Sequence, residues 1–129
     1  MLKVHHIGYA VKRMDRAIPV MQKLGYTVGP VIHDEMRKID ISFCEFDGYR
    51  VELVAPAGMD SPVQGILKSV GNTPYHICYT SDNYEEDLRN LTTVGCKIIV
   101  EPMEAVAFQG KKVCFLYSLG IGTIELAES

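Results

Sequence analysis

A chain of 129 residues, 47% hydrophobic and 22% charged, suits one small globular domain, here two half-size modules sharing a core. A net charge of −3 with scattered Lys and Arg gives no reason to expect nucleic acid or an acidic membrane surface as partner. No apolar run nears the ~20 residues that span a bilayer, and the opening MLKVHHIGYAV has neither an apolar h-region nor a small-residue cleavage site, so no signal peptide is expected. Cys44, Cys78, Cys96 and Cys114 sit inside apolar runs and form no C-x-x-C pair. They are expected as reduced core thiols of a cytoplasmic protein rather than as disulfides or a thiolate metal site.

In chain order, residues 2–11 alternate as a strand. Asp15 predicts an N-cap for a helix over about 16–24, with Ala17, Ile18, Met21 and Leu24 as its apolar face and Pro19 near the first turn. Gly25 predicts its end. Tyr26–His33 reads as a second strand interrupted at Gly29-Pro30. Ile39-x-Ile41-x-Phe43 starts a third, and Asp47-Gly48 turns it into a fourth over Tyr49–Val54. The order is β-α-β-β-β. This first module covers about 1–56, a linker about 57–73, and a second module about 74–129. In the linker, Ser61-Pro62-Val63-Gln64 predicts a capping box with Pro at the first helical position, and Gly71 closes the short helix. The second module repeats the order: strand Tyr75–Thr80, and helix Asp82–Val94 with Tyr84, Leu88 and Leu91 on one face. Strand Cys96–Val100 follows, stopped by Glu101-Pro102, then strands Val113–Tyr117 and Thr123–Ala127 about a Gly120/Gly122 turn. Met103–Gly110 gives the weakest pattern and reads as a mobile loop.

The two modules echo each other in sequence. His6-Ile7-Gly8-Tyr9 returns 70 positions on as His76-Ile77-Cys78-Tyr79 (6 to 76). Val51-Glu52-Leu53 returns 73 positions on as Ile124-Glu125-Leu126 (52 to 125), and Leu24-Gly25-Tyr26 returns as Val94-Gly95-Cys96 (25 to 95). A tandem duplication explains the common order and spacing.

The repeated positions include two His and two Glu. Strand alternation places His6 on one face with Gly8 and Ala10, and His76 with Cys78 and Thr80, so each imidazole stands beside a small residue. Glu52 shares a face with Arg50 and Val54, and apolar neighbours bracket both Glu52 and Glu125. A buried carboxylate needs a partner, which a metal can supply. Two imidazoles and two carboxylates suit a borderline divalent ion such as Co, Ni, Zn, Mn or Fe. His5 aligns with Tyr75 and is read as structural, while His33 has no echo and is left unassigned.

On these residues the chain resembles the vicinal oxygen chelate superfamily, which includes glyoxalase I, methylmalonyl-CoA epimerase, extradiol dioxygenases and bleomycin-resistance proteins. The resemblance implies an α+β fold of two tandem βαβββ modules forming an open cavity around one divalent metal, held by His6, Glu52, His76 and Glu125. Val51-Glu52-Leu53-Val54-Ala55-Pro56, Asp60-Ser61-Pro62-Val63 and Pro74-Tyr75-His76-Ile77-Cys78 are most similar to the epimerases. Ala107-Phe108-Gln109-Gly110 departs from their Gly-x-His-Gly loop, and Ser118-Leu119-Gly120-Ile121 is a shorter hairpin than theirs.

The resemblance implies proton transfer α to a carbonyl, on an acyl-CoA thioester or a glutathione adduct, in a homodimer. Glu125 is the first candidate base, with Glu52 and Glu35 as the others. Glu35 also reads as a solvated loop acid. The glyoxalase I (lactoylglutathione lyase) reaction on a glutathione hemithioacetal is the alternative within that chemistry. An Fe(II) dioxygenase and a non-catalytic small-molecule-binding or resistance protein are the alternatives outside it.

Overall fold

The structure, a computed structural model, describes residues 1–129. The elements in order are β1 (Leu2–Ala10), α1 (Met14–Leu24), β2 (Thr27–Val28), β3 (Ile32–Asp34), β4 (Ile39–Phe46), β5 (Tyr49–Pro56), α2 (Gln64–Ser69), β6 (Thr73–Ser81), α3 (Tyr84–Thr93), β7 (Lys97–Glu104), β8 (Lys112–Ser118) and β9 (Gly122–Glu128), with a 3-10 turn at Val106–Phe108. The class is α+β: the second module has the βαβββ order, and the first has it with the strand after the helix split into β2 and β3. No helix is long and apolar enough to cross a membrane. The chain divides into two compact units, His6–Tyr75 and His76–Ser129, with Met1–His5 grouped with the second.

In the His6–Tyr75 unit the strand path is β2-β4-β5-β1, with β3 on β4. β1 runs parallel to β5, and β4 runs antiparallel to it. Alternation along β5 decides what each face meets. Val51, Leu53 and Ala55 join Val11 and Cys44 beneath Met14, Ala17, Ile18 and Met21 of α1. On the opposite face Val54 packs with Ala10, Val63 and Leu67, so α2 closes one end of the surface that carries Glu52. Burying a side chain such as Leu53 contributes about 1.5–3 kcal/mol.

The second unit repeats this with the path β6-β9-β8-β7. Tyr84, Leu88 and Leu91 of α3 pack on Cys96, Cys114, Leu116, Ile124 and Leu126. Cys78, Val113 and Ala127 line the other face with Ala105, Phe108 and Phe115. All four cysteines are buried and none forms a disulfide.

Several element ends differ from the sequence expectation. Helix α1 begins at Met14 with Arg13 at its N-cap, so Asp15 lies inside the first turn, where its carboxylate accepts from Arg13 Nε and Nη2 at 3.1 and 2.7 Å. Pro19 therefore falls in the second turn. Leu24, expected in the apolar face, is 61% exposed, and Met14 takes its place.

The expected second strand is two short ones. Gly29 N–H donates to Phe43 O at 2.8 Å, and a Cβ on Gly29 would meet that same oxygen at 3.0 Å. Pro30 has no N–H to continue the ladder. The expected capping box at Ser61 does not form. The Ser61 hydroxyl is buried without a hydrogen bond, Gln64 Nε2 donates to Gly58 O at 3.1 Å, and α2 starts at Gln64 itself.

Strand β7 runs through Pro102 to Glu104. Its register shifts between Ile98 and Met103 leave Pro102 unpaired at the end of the strand path, where a missing donor costs little. The stretch expected as a mobile loop is a hydrogen-bonded turn, with Gly110 N–H donating to Ala105 O at 3.0 Å and Gln109 in the left-handed region at φ 57°.

Candidate functional site

Each unit builds the same small constellation. In the first, the parallel register of β1 and β5 sets Gly8 opposite Glu52, and His6 lies two residues back on the same face. His6 Nε2 and Glu52 Oε1 are 3.2 Å apart, with the two residues 1% and 4% exposed. In the second, Cys78 is opposite Glu125, and His76 Nε2 lies 2.9 Å from Glu125 Oε1, again with both residues buried. The small residue opposite each glutamate leaves room for the imidazole two positions away.

An aromatic ring completes each constellation. Phe43 of β4 is the direct cross-strand neighbour of Glu52, and its ring meets the His6 imidazole edge-on, centroids 5.5 Å apart at 65°. Phe115 of β8 stands opposite Glu125, and its ring meets His76 at 5.4 Å and 86°. Sequence reading missed this pair. The signal was present, because Phe43 and Phe115 are 72 positions apart, close to the offsets of the His and Glu echoes.

The chemistry of the four side chains fits a divalent ion. Each offers one donor atom, an imidazole nitrogen or a carboxylate oxygen, and all four are buried. Neighbouring donors on an octahedral ion, with bonds of about 2.0–2.2 Å, lie about 2.8–3.1 Å apart. The His76–Glu125 separation of 2.9 Å falls in that range, and the His6–Glu52 separation of 3.2 Å lies just beyond it. A carboxylate buried beside an imidazole in an apolar strand is also costly to desolvate without further positive charge.

Glu35, the third candidate base, lies elsewhere, at the turn between β3 and β4. Its side chain is 71% exposed and pairs with Lys38 Nζ at 2.8 Å and His33 Nε2 at 2.6 Å. These partners, Lys38 foremost, pull its carboxyl down from 4.5 to about 2. His33, left unassigned from sequence, also meets Asp40 Oδ1 through Nδ1 at 2.8 Å. Glu35 and then Asp40 raise its pKa above the ordinary 6.5. His5 is half-buried, its ring 4.9 Å from that of Phe108.

Comparison with known proteins gives concordant results. The bovine protein "Methylmalonyl-CoA epimerase, mitochondrial" is 26% identical over 124 residues, covering 95% of this chain and 70% of that one. A hypothetical protein of Bacillus halodurans superposes with a TM-score of 0.87 at 24% identity, over 99% of this chain and 94% of its own. A variant of Streptomyces coelicolor methylmalonyl-CoA epimerase, solved with 2-nitronate-propionyl-CoA, superposes with a TM-score of 0.85 at 20% identity, over 98% and 96% of the two chains. Residues 5–115 match the family profile described as Glyoxalase/Bleomycin resistance protein/Dioxygenase superfamily, and the chain belongs to that superfamily.

Proposed function

We propose that the chain is a divalent-metal-dependent epimerase that moves the proton α to the carbonyl of an acyl-CoA thioester, with methylmalonyl-CoA or a close relative as substrate. The observation that carries this reading is the buried His–Glu pair built twice, once in each unit, near donor spacing. The bovine relative's name and the acyl-CoA analogue bound by the Streptomyces enzyme supply the substrate class. A homodimer is the assembly that goes with it.

On this reading His6, Glu52, His76 and Glu125 hold one ion, of Co, Ni, Zn, Mn or Fe. When bound, it supplies Lewis acidity to a carbonyl oxygen and so favours loss of the neighbouring proton. The protein's own work is the proton transfer. Epimerisation needs a group on each face of the α-carbon, one taking the proton and one returning it. Glu125 is the first base, and Glu52, its counterpart in the other unit, is the group for the second face. Both are buried, Glu52 against His6 and Glu125 against His76. Glu35 is the weakest of the three, because its ion pairs hold it ionised down to about pH 2.

Proton NMR in D2O tests this on metal-loaded protein offered methylmalonyl-CoA and, separately, the hemithioacetal of methylglyoxal and glutathione. Deuterium should enter the α-carbon of the thioester and fail to do so with His76→Ala. Glu125→Gln should slow exchange by about 10²–10⁴-fold. Turnover of the hemithioacetal alone would move the assignment to the lyase reaction, and silence on both substrates would sink the epimerase reading.

A further inference from the structure

Phe43 and Phe115 do not carry donor atoms, yet each occupies the same place in its unit. Each is the direct antiparallel neighbour of the glutamate and lies edge-on to the histidine, at 5.5 and 5.4 Å. Directly opposed residues of an antiparallel pair share a face, so ring, carboxylate and imidazole are held together by strand register. The neighbouring positions of β4 and β8 are not reproduced so closely: Ile41 and Ser42 correspond to Val113 and Cys114, while Phe recurs as Phe.

The imidazole of a metal ligand needs a fixed orientation as well as a fixed position, because its donor lone pair lies in the ring plane. A histidine χ2 is a broad torsion that its own rotamer preference does not hold. Contacts around the ring must hold it. The glutamate oxygen lies against one edge of the imidazole, at Nε2, and the T-shaped phenylalanine contact meets the ring from a second direction in the arrangement that aromatic pairs favour. We infer that Phe43 and Phe115 are positioning residues that set the imidazole planes of His6 and His76 for metal binding. This rests on the metal-site reading above.

The test is Co(II) binding followed by calorimetry and by the visible d–d spectrum, in the full chain and in Phe43→Leu, Phe115→Leu, Phe43→Tyr and Phe115→Tyr. Each Leu variant should bind about tenfold more weakly, the scale on which groups orienting a metal ligand act. Each should also alter the d–d band, while the Tyr variants, which keep the ring, retain the wild-type spectrum. Leu53→Ala is the control for general destabilisation. It faces α1, and should lower the melting temperature while leaving the spectrum of the bound ion unchanged. Wild-type binding with affinity and spectrum unmoved in both Leu variants would overturn the inference and leave the metal reading standing. Absence of Co(II) binding by the wild-type chain would overturn both.

Discussion

His33 has a carboxylate at each ring nitrogen, Asp40 on Nδ1 and Glu35 on Nε2, with Lys38 on the far oxygen of Glu35. An imidazole can satisfy two acceptors only when both nitrogens carry protons, so the arrangement favours the cation. The contacts act in opposite directions along the pH scale. His33, raised above 6.5, contributes stability fully below 6.5 and loses it as pH rises through its folded midpoint. Glu35, lowered from 4.5, contributes above 4.5 and loses its share as pH falls towards about 2. The cluster is therefore at full strength between 4.5 and 6.5. An NMR titration of the His33 ring should give a midpoint above 6.5, and Asp40→Asn should lower it. A wild-type midpoint at or below 6.5 would mean that solvent has dissolved the cluster. The double pairing of His33 was not legible from His33-Asp34-Glu35, because Asp40 stands opposite His33 only once β3 and β4 have paired.

At the scale of elements, the order of strands and helices was readable because alternation and helical spacing survive in each stretch, as with Tyr84, Leu88 and Leu91. What was not readable depended on tertiary partners. Gly29-Pro30 divides a strand because the ladder to β4 runs as far as the Gly29 N–H and Pro30 has no donor to extend it, and β7 passes Pro102 because no strand pairs there in register. Helix α1 begins early, which places Pro19 in its second turn without the N–H that would meet Asp15 O. Replacing Pro19 by Ala should restore that donor and relieve the ring's crowding. Part of the gain is offset by the greater freedom of the unfolded chain, about 0.4–1 kcal/mol. A net stabilisation of about 2 kcal/mol is expected from the cost of about 3 kcal/mol for an interior proline less that offset, read as a rise in melting temperature by calorimetry. A lower melting temperature would show that the proline's rigidity outweighs the missing bond.

For the whole molecule, duplication turns a weak local signal into a testable one. A single buried histidine is most often a hydrogen-bonded core residue. The sequence made His6, Glu52, His76 and Glu125 conspicuous because they recur in matching strands, and both units pair them at 3.2 and 2.9 Å. Phe43 was legible by the same route, because the two-residue Asp47-Gly48 turn sets it opposite Glu52, and Phe115 takes the matching place opposite Glu125. If both pairs serve one ion, its stoichiometry is one per chain, and loss of a ligand from either unit is equally damaging. If each pair were a site of its own, two ions would bind, and His6→Ala would spare the second. With Ni(II) or Co(II) at 100 times its dissociation constant, binding stabilises the folded chain by about 2.7 kcal/mol, or about 10 °C for a domain of this size. That gain should vanish with a chelator. It should vanish equally in His6→Ala and in His76→Ala, and the double variant should behave like either single one. A scanning-fluorimetry series with metal analysis of the dialysed protein reads both quantities. Two ions per chain, or half the stabilisation surviving in each single variant, would divide the proposed centre into two.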